Sequence, residues 1–341
     1  MTRKLNSIAA PCLLAGTALF TFAPHVAQAA EPPRETTTAS RLPDNPQSLK
    51  HIAAAKKLAG KDEDLGRAFS FFCTPTNYNA PGPQLEAMKV FDNLYMIPSS
   101  PRQQTTAWAI TTRDGIIMID SGETAQPDSI LAGLQKVGLD PAQVKVILLG
   151  HGHGDHYAGA LYFQEKYGTR VGTDAKDWDL MYPATPPANA PPAQGTPLPK
   201  PKRDLVLEAG KPYVLGEQTV NIYAIPGHTP GSLGYIFNVT ENGKKHTAAI
   251  FAGTILDQGR IPTEGLKQYL ASTKSFQDAA KKMKVDVEIQ NHALFDSTPE
   301  RAARLKARKP GEKNPFLTTT SKYVKLWDIS SECIQAEIAK R

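Results

Sequence analysis

Residues 144–156 read Val144-Lys145-Val146-Ile147-Leu148-Leu149-Gly150-His151-Gly152-His153-Gly154-Asp155-His156. The first six form a short apolar run with the length and branching of a buried strand, and it runs directly into a loop of glycines and ligand-type side chains. In an extended loop, residues two apart point to one side, so His151 and His153 can converge on one metal ion. The turn into the next helix aims Asp155 and His156 close by, and Gly152 and Gly154 give the backbone freedom to crowd four ligands together. Bringing three imidazoles and a carboxylate together unpaired would cost desolvation and repulsion, which argues for a metal centre just past a strand end.

Outward from this heptad the pattern is mixed β/α. Upstream, residues 90–97, 106–112 and 116–119, with a turn at Asp114-Gly115, read as successive strands, followed by a helix over Ser129 to Val137. Downstream, Tyr157 to Tyr167 reads as a helix with Leu161 and Phe163 available to the core. Residues 181–203 carry eight prolines and read as an extended loop, either a passive excursion or a flap over the site. A second strand set follows: Val206-Leu207, Tyr213-Val214, Thr219 to Ile225, Leu233 to Val239 and Thr247 to Phe251, with a turn at 241–244. Helices are expected over Leu266 to Met283, Pro299 to Arg308 and Tyr323 to Ile338, with a short strand over Val285 to Ile289. Two mixed β-sheets packed face to face and flanked by helices, an αββα four-layer sandwich of the α/β class, accommodate this order. Two more histidines sit at strand mouths: His228 in Pro226-Gly227-His228-Thr229-Pro230-Gly231-Ser232, and His292 in Gln290-Asn291-His292-Ala293. As companions to the heptad, both read as further ligands.

The 341 residues carry 39 Lys+Arg, 33 Asp+Glu, 8 His and 3 Cys, which excludes wholesale disorder and a disulfide-packed mini-protein. Thr2-Arg3-Lys4, the apolar run Ile8 to Phe22 and Ala27-Gln28-Ala29 read as a signal peptide over 1–29, cut after Ala29, and so as export to the periplasm or beyond. Its loss takes Arg3 and Lys4 and no acid, so the net charge falls from +6 to +4. That is too diffuse for a nucleic-acid partner, and no stable membrane anchor is expected after cleavage; a small-molecule substrate is. Residues 30–87 read as a tether and arm containing a helix over Ser48 to Leu58, with Leu49, Ile52 and Ala53 as its apolar face. The compact domain spans 88–308, and 309–341 form a helical extension packed on it. Cys73 and Cys333 remain after cleavage, an even count that suits an oxidising compartment; they either pair, tying arm to last helix, or are two buried thiols. Of the seven remaining histidines, His51 and His246 lie off the motifs and read as structural or surface residues.

His151-x-His153-x-Asp155-His156, with His228 in its Pro-Gly-His-Thr-Pro-Gly-Ser context and a late His292, resembles the metallo-β-lactamase superfamily. The likeness covers about Met88 to Arg308 and includes Ile119-Asp120-Ser121-Gly122; Phe91-Asp92-Asn93-Leu94-Tyr95 and Trp108-Ala109-Ile110 look most like the third subclass of class B metallo-β-lactamases. The resemblance implies a hydrolase with two Zn2+ per chain, one held by His151, His153 and His228 and the other by Asp155, His156 and His292. Asp155 would also orient the attacking water, and Asp120 would stand behind the metal loop. Lactonases and thioesterases of the superfamily carry a bridging Asp where this chain has Thr254, with Asp257 nearby; the third subclass lacks that carboxylate. The subclass usually shows serines here that hold the substrate carboxylate; Thr254 can replace one hydroxyl and Leu256 cannot replace another. The resemblance therefore implies opening of a cyclic amide, a β-lactam, with lactone or other ester hydrolysis as the second reading. A non-catalytic zinc-binding protein is disfavoured because all six ligands are present.

Overall fold

The computed structural model describes residues 42–75, 85–99, 105–184, 198–256, 258, 261–293 and 295–341. The expected signal peptide, most of the tether, the proline-rich stretch 185–197 and Asp257 lie outside them. Two helices come first, α1 (Pro46–Ala59) and α2 (Glu63–Cys73). Strands β1 (Met88–Phe91), β2 (Leu94–Pro98), β3 (Thr106–Thr112) and β4 (Gly115–Ile119) form an antiparallel meander. Helix α3 (Asp128–Lys136) crosses to β5 (Val144–Leu148), and α4 (Gly154–Tyr157) with α5 (Ala160–Tyr167) cross to β6 (Arg170–Thr173). After α6 (Ala175–Met181), β7 (Leu205–Val206) completes a seven-stranded sheet in chain order, parallel from β4 onward.

The second sheet has five strands: β8 (Tyr213–Leu215), β9 (Gln218–Ala224), β10 (Leu233–Glu241) and β11 (Lys244–Phe251) are antiparallel neighbours. Helix α7 (Thr263–Met283) then returns the chain to β12 (Val287–Glu288), which pairs parallel to β11. Helices α8 (Thr298–Ala307) and α9 (Thr320–Ala339) end the chain. The expected αββα sandwich is therefore present.

Period-2 alternation sorts the apolar side chains between layers. On β4, Ile117 and Ile119 join Leu233, Tyr235 and Ile250 in the core between the sheets. Ile116 and Met118 turn the other way, to Leu134, Phe163 and Trp178 of α3, α5 and α6. On the far side, Ile236, Ala249 and Phe251 meet Tyr269 and Phe276 of α7 and Trp327 of α9. Three readings need correction. Val206 pairs with β6 in the first sheet, where the expectation placed it with the second strand set. Helix α6 was not anticipated, and α1 faces the body with Ser48, Ala55 and Ala59, while Leu49 is 53% exposed. Ser48 turns inward because its hydroxyl completes the capping box with Asn45.

Residues 42–75, expected as part of an arm, are the two helices α1 and α2, and both pack on α9. A disulfide joins Cys73, the last residue of α2, to Cys333 of α9, with the Cα atoms 4.9 Å apart. His51 pairs with Glu332 at 2.7 Å and His246 with Asp286 at 2.6 Å, so both are structural ties remote from the heptad motif. Among the described residues no helix is long and apolar enough to cross a membrane.

Candidate metal centre

The edges of the two sheets are sewn together where β4, β5, β9, β11 and β12 end. Leu233 N–H donates to Gly150 O at 2.8 Å, the Tyr235 hydroxyl to Leu149 O at 2.7 Å, and Thr106 N–H to Asn291 O at 2.9 Å. Loops leaving carboxyl ends of strands at such an edge are where α/β folds build their sites, and all six expected ligands arrive here.

His228 Nε2 stands 3.0 Å from His151 Nε2 and 3.0 Å from His153 Nδ1. His156 Nε2 lies 3.1 Å from His292 Nε2 and 3.3 Å from Asp155 Oδ2, which is 3.6 Å from His292 Nε2. His151 joins the halves: its ligand atom and those of Asp155 and His156 all lie within 4.8 Å of one another. His151, His156 and His292 are buried, Asp155 and His228 are half-buried, and His153 reaches solvent.

The atoms behind the rings decide which nitrogens face inward. Ala252 O lies 2.9 Å from His151 Nδ1, and a carbonyl only accepts, so Nδ1 carries the proton and Nε2 presents a lone pair to the cluster. Asp120 Oδ2 does the same for His156 Nδ1 at 2.8 Å, while Asp120 Oδ1 accepts from Gly150 N–H at 2.7 Å. Asn291 Nδ2 donates to Asp120 Oδ2 at 3.0 Å and to Ala252 O at 2.9 Å. Asp120 thus stands behind the metal loop as the sequence suggested; Asn291, which the sequence reading passed over, ties both backing groups together.

Imidazole nitrogens about 3 Å apart, facing a common point, repel unless a cation stands between them. A tetrahedral zinc with Zn–N near 2.0–2.1 Å sets its ligand atoms about 3.3 Å apart, so the donor set fits a divalent metal of that kind. Burial and the neighbouring imidazoles hold His151 and His228 well below the usual histidine range, favouring the neutral form a ligand needs. Crowding by protein atoms lowers His153 too, against the pull of Asp155. Asp155 and His156 behave differently. Burial alone would raise the Asp155 carboxyl and lower the His156 imidazole, but their mutual attraction, with Asp120 beside His156, wins in both cases. Asp155 is held far below the usual carboxylate range, and His156 is pushed up to about 10.

Two expectations change in detail. Neither Gly152 nor Gly154 has a positive φ; around the cluster Asp120, Gly122 and Gly227 do, at +62°, +82° and +138°. What Gly152 supplies is space, since a Cβ there would stand 2.9 Å from Asp177 O. Thr254 is fully buried, and its hydroxyl lies 2.6 Å from Phe251 O and 2.7 Å from Gln290 Oε1, with one proton to donate between them, so it is turned into the protein and away from solvent. Leu198 lies against Gly154, beside the histidine loop.

Residues 100–239 match the family model described as the metallo-beta-lactamase superfamily. The chain is 28% identical over 176 residues to the hydroxyacylglutathione hydrolase GloC of Haemophilus influenzae, covering 50% of this chain and 74% of that protein. Hydroxyacylglutathione hydrolases of Acidiphilium cryptum and Cereibacter sphaeroides share 26% and 31% identity, and the chain spans only 44% and 39% of their length. Among solved structures, BJP-1, a subclass B3 metallo-beta-lactamase of Bradyrhizobium japonicum, superposes with a TM-score of 0.55 at 22% identity over 75% of this chain and 91% of that one. FEZ-1 of Legionella gormanii gives 0.58 at 23% over 72% and 93%. These likenesses establish the fold.

Proposed function

We propose that this chain, which carries a domain of the metallo-β-lactamase superfamily of metal-dependent hydrolases, is an exported two-zinc enzyme that opens β-lactam rings. One ion is assigned to His151, His153 and His228, the other to Asp155, His156 and His292. When bound, zinc supplies Lewis acidity to a water molecule and to the substrate carbonyl. The side chains supply the rest. Asp155, the carboxylate whose Oδ2 faces both His156 and His292, accepts a hydrogen bond from the attacking water and holds it in line. Asp120 and Ala252 O keep the rings of His156 and His151 turned inward. The buried His151, His156 and His292 close the back of the site, so substrate enters where His153 and Asp155 meet solvent. Ring opening adds the elements of water across the C–N bond, oxygen to the carbonyl carbon and hydrogen to the nitrogen.

The observation that carries the lactam reading is Thr254: the place of a bridging carboxylate holds a buried hydroxyl bonded to Phe251 O and Gln290 Oε1. The hydroxyacylglutathione hydrolase names of the sequence relatives favour a second reading, cleavage of a thioester or lactone. Export is supported by the residues 1–29 pattern and by the Cys73–Cys333 disulfide, which suits an oxidising compartment. The test is a side-by-side assay of zinc-loaded protein on a penicillin, a carbapenem, an acyl-homoserine lactone and a hydroxyacylglutathione. Turnover of the lactams is expected; brisk lactone or thioester cleavage with both lactams untouched would reverse the ranking.

A further inference from the structure

Asp177, on the short helix α6, is fully buried. Its Oδ2 accepts from Gly152 N–H at 2.7 Å and from the Thr229 hydroxyl at 2.7 Å; its Oδ1 accepts from Gly231 N–H at 2.7 Å. Gly152 separates His151 from His153, and Thr229 follows His228. One carboxylate therefore grips both loops beside all three imidazoles of one triad, through two backbone N–H groups and one hydroxyl, and none of these three hydrogen bonds reaches the other triad.

Local sequence is shaped around this grip. A Cβ on Gly231 would stand 2.7 Å from both Asp177 N and Asp177 Oδ1, and one on Gly152 would press on Asp177 O. Both loops approach the carboxylate so closely that only glycine fits. Thr229 is locked a second time, its N–H donating to Ser232 Oγ at 3.0 Å and its hydroxyl lying 2.7 Å from the same oxygen. Hydrogen bonds to a buried carboxylate are of the stronger, charge-assisted kind.

We propose that Asp177 is the positioning residue of the His151/His153/His228 triad: it clamps the two loops that carry these imidazoles and sets a negative charge behind a ligand set that has none. The inference rests on reading the cluster as a metal centre, and it requires no particular substrate. It distinguishes Asp177 from a merely structural acid, whose loss would loosen both triads alike.

The test measures metal affinity one triad at a time, by titrating zinc or cobalt(II) against a competing chelator and following the cobalt absorption. With His292→Ala removing a ligand from the second triad, adding Asp177→Asn should weaken the ion left on the first by about 10–100-fold and alter its cobalt spectrum. With His228→Ala, which leaves the second triad whole, adding Asp177→Asn should leave affinity unchanged. Thr229→Val, which removes one of the three hydrogen bonds and keeps the shape, should give a smaller loss in the same direction, and it decides the matter if Asp177→Asn does not fold. Unchanged affinity in the His292→Ala background, or equal weakening in both, would overturn the proposal. A chain with no substitution that binds no metal would remove the metal-centre reading along with it, whereas two ions bound and no effect of Asp177→Asn would remove this inference alone.

Discussion

The two triads share His151 as a neighbour and differ in almost everything else. The first, His151, His153 and His228, is all imidazole, comes from the loops after β5 and β9, and is clamped by Asp177 through two backbone N–H groups and the Thr229 hydroxyl. The second, Asp155, His156 and His292, contains a carboxylate, comes from α4 and the loop after β12, and is held through a side chain, by Asp120 on His156. Burial and crowding leave the first as neutral donors ready for a cation. In the second, Asp155 and Asp120 raise His156 to about 10, against the effect of burial. A neutral donor set and a charged one side by side give one centre two unequal metal environments.

The largest expected effect comes from deleting a ligand on either side. His228→Ala and His292→Ala should each cost one bound ion per chain and more than about 100-fold in hydrolysis, since loss even of a group behind a ligand costs 10–100-fold. Metal analysis and initial rates check this. Full activity in either variant would break the division into two triads and the mechanism with it.

Next in size is Asp120→Asn. Asp120 sits at φ +62°, a left-handed conformation that asparagine also tolerates, so the exchange leaves the backbone alone. It removes the charge behind His156 and the second oxygen acceptor, and should weaken metal at the second triad by about 10–100-fold, the mirror image of Asp177→Asn. Chelator competition in the same two single-triad backgrounds checks it. If both substitutions weakened the same triad, the comparison would be wrong.

The two clamps were not equally legible in the sequence. Asp120 follows an apolar strand and matches a motif, and the six ligands stand out by the tight spacing of the heptad, by two histidines at strand mouths and by the family resemblance that joins them. Asp177 hid because α6 is only seven residues long, too short for a helical period to register, and one more acid in Asp174-Ala175-Lys176-Asp177-Trp178-Asp179 looks solvated. A signal was present in Gly152 and Gly231, one on each ligand loop, since a pair of glycines can mark a shared close approach as readily as flexibility. The two-sheet sandwich was legible from the order of strand and helix patterns, but the placement of Val206 was not: a two-residue strand carries no period, and its partner is set by the crossover through α6. The face of α1 was misread because a capping serine outranked an apolar leucine for the inward position. The resemblance offered Thr254 as a stand-in for a substrate-holding serine, and a resemblance does not say which way a hydroxyl turns.

The wall behind the second triad offers the gentlest way to separate the halves. Phe71 and Phe72 of α2 pack edge-on against Phe295, three residues beyond His292, with ring centroids 5.6 and 5.2 Å apart. Phe72 O also accepts from Gln258 Nε2 at 2.8 Å, and the Cys73–Cys333 disulfide pins the end of α2 to α9 across 260 residues of sequence. The first triad rests on a different wall: the Ser272 hydroxyl of α7 donates to Pro226 O at 2.7 Å, two residues before His228, and a Cβ on Gly227 would stand 2.5 Å from Tyr269 Cβ. Replacing both cysteines by serine should cost about 2–4 kcal/mol of stability, mainly by freeing the unfolded chain, seen as a lower urea midpoint with a steeper slope, because the uncrosslinked unfolded chain exposes more surface. Hydrolysis by the folded protein should change little, because α2 touches no ligand. As urea rises, metal should leave the second triad of the double variant before the first, since the loosened α2 packs directly on Phe295 beyond His292, whereas the His228 loop rests on α7. Simultaneous release would mean that the two halves, however different their chemistry, are supported as one.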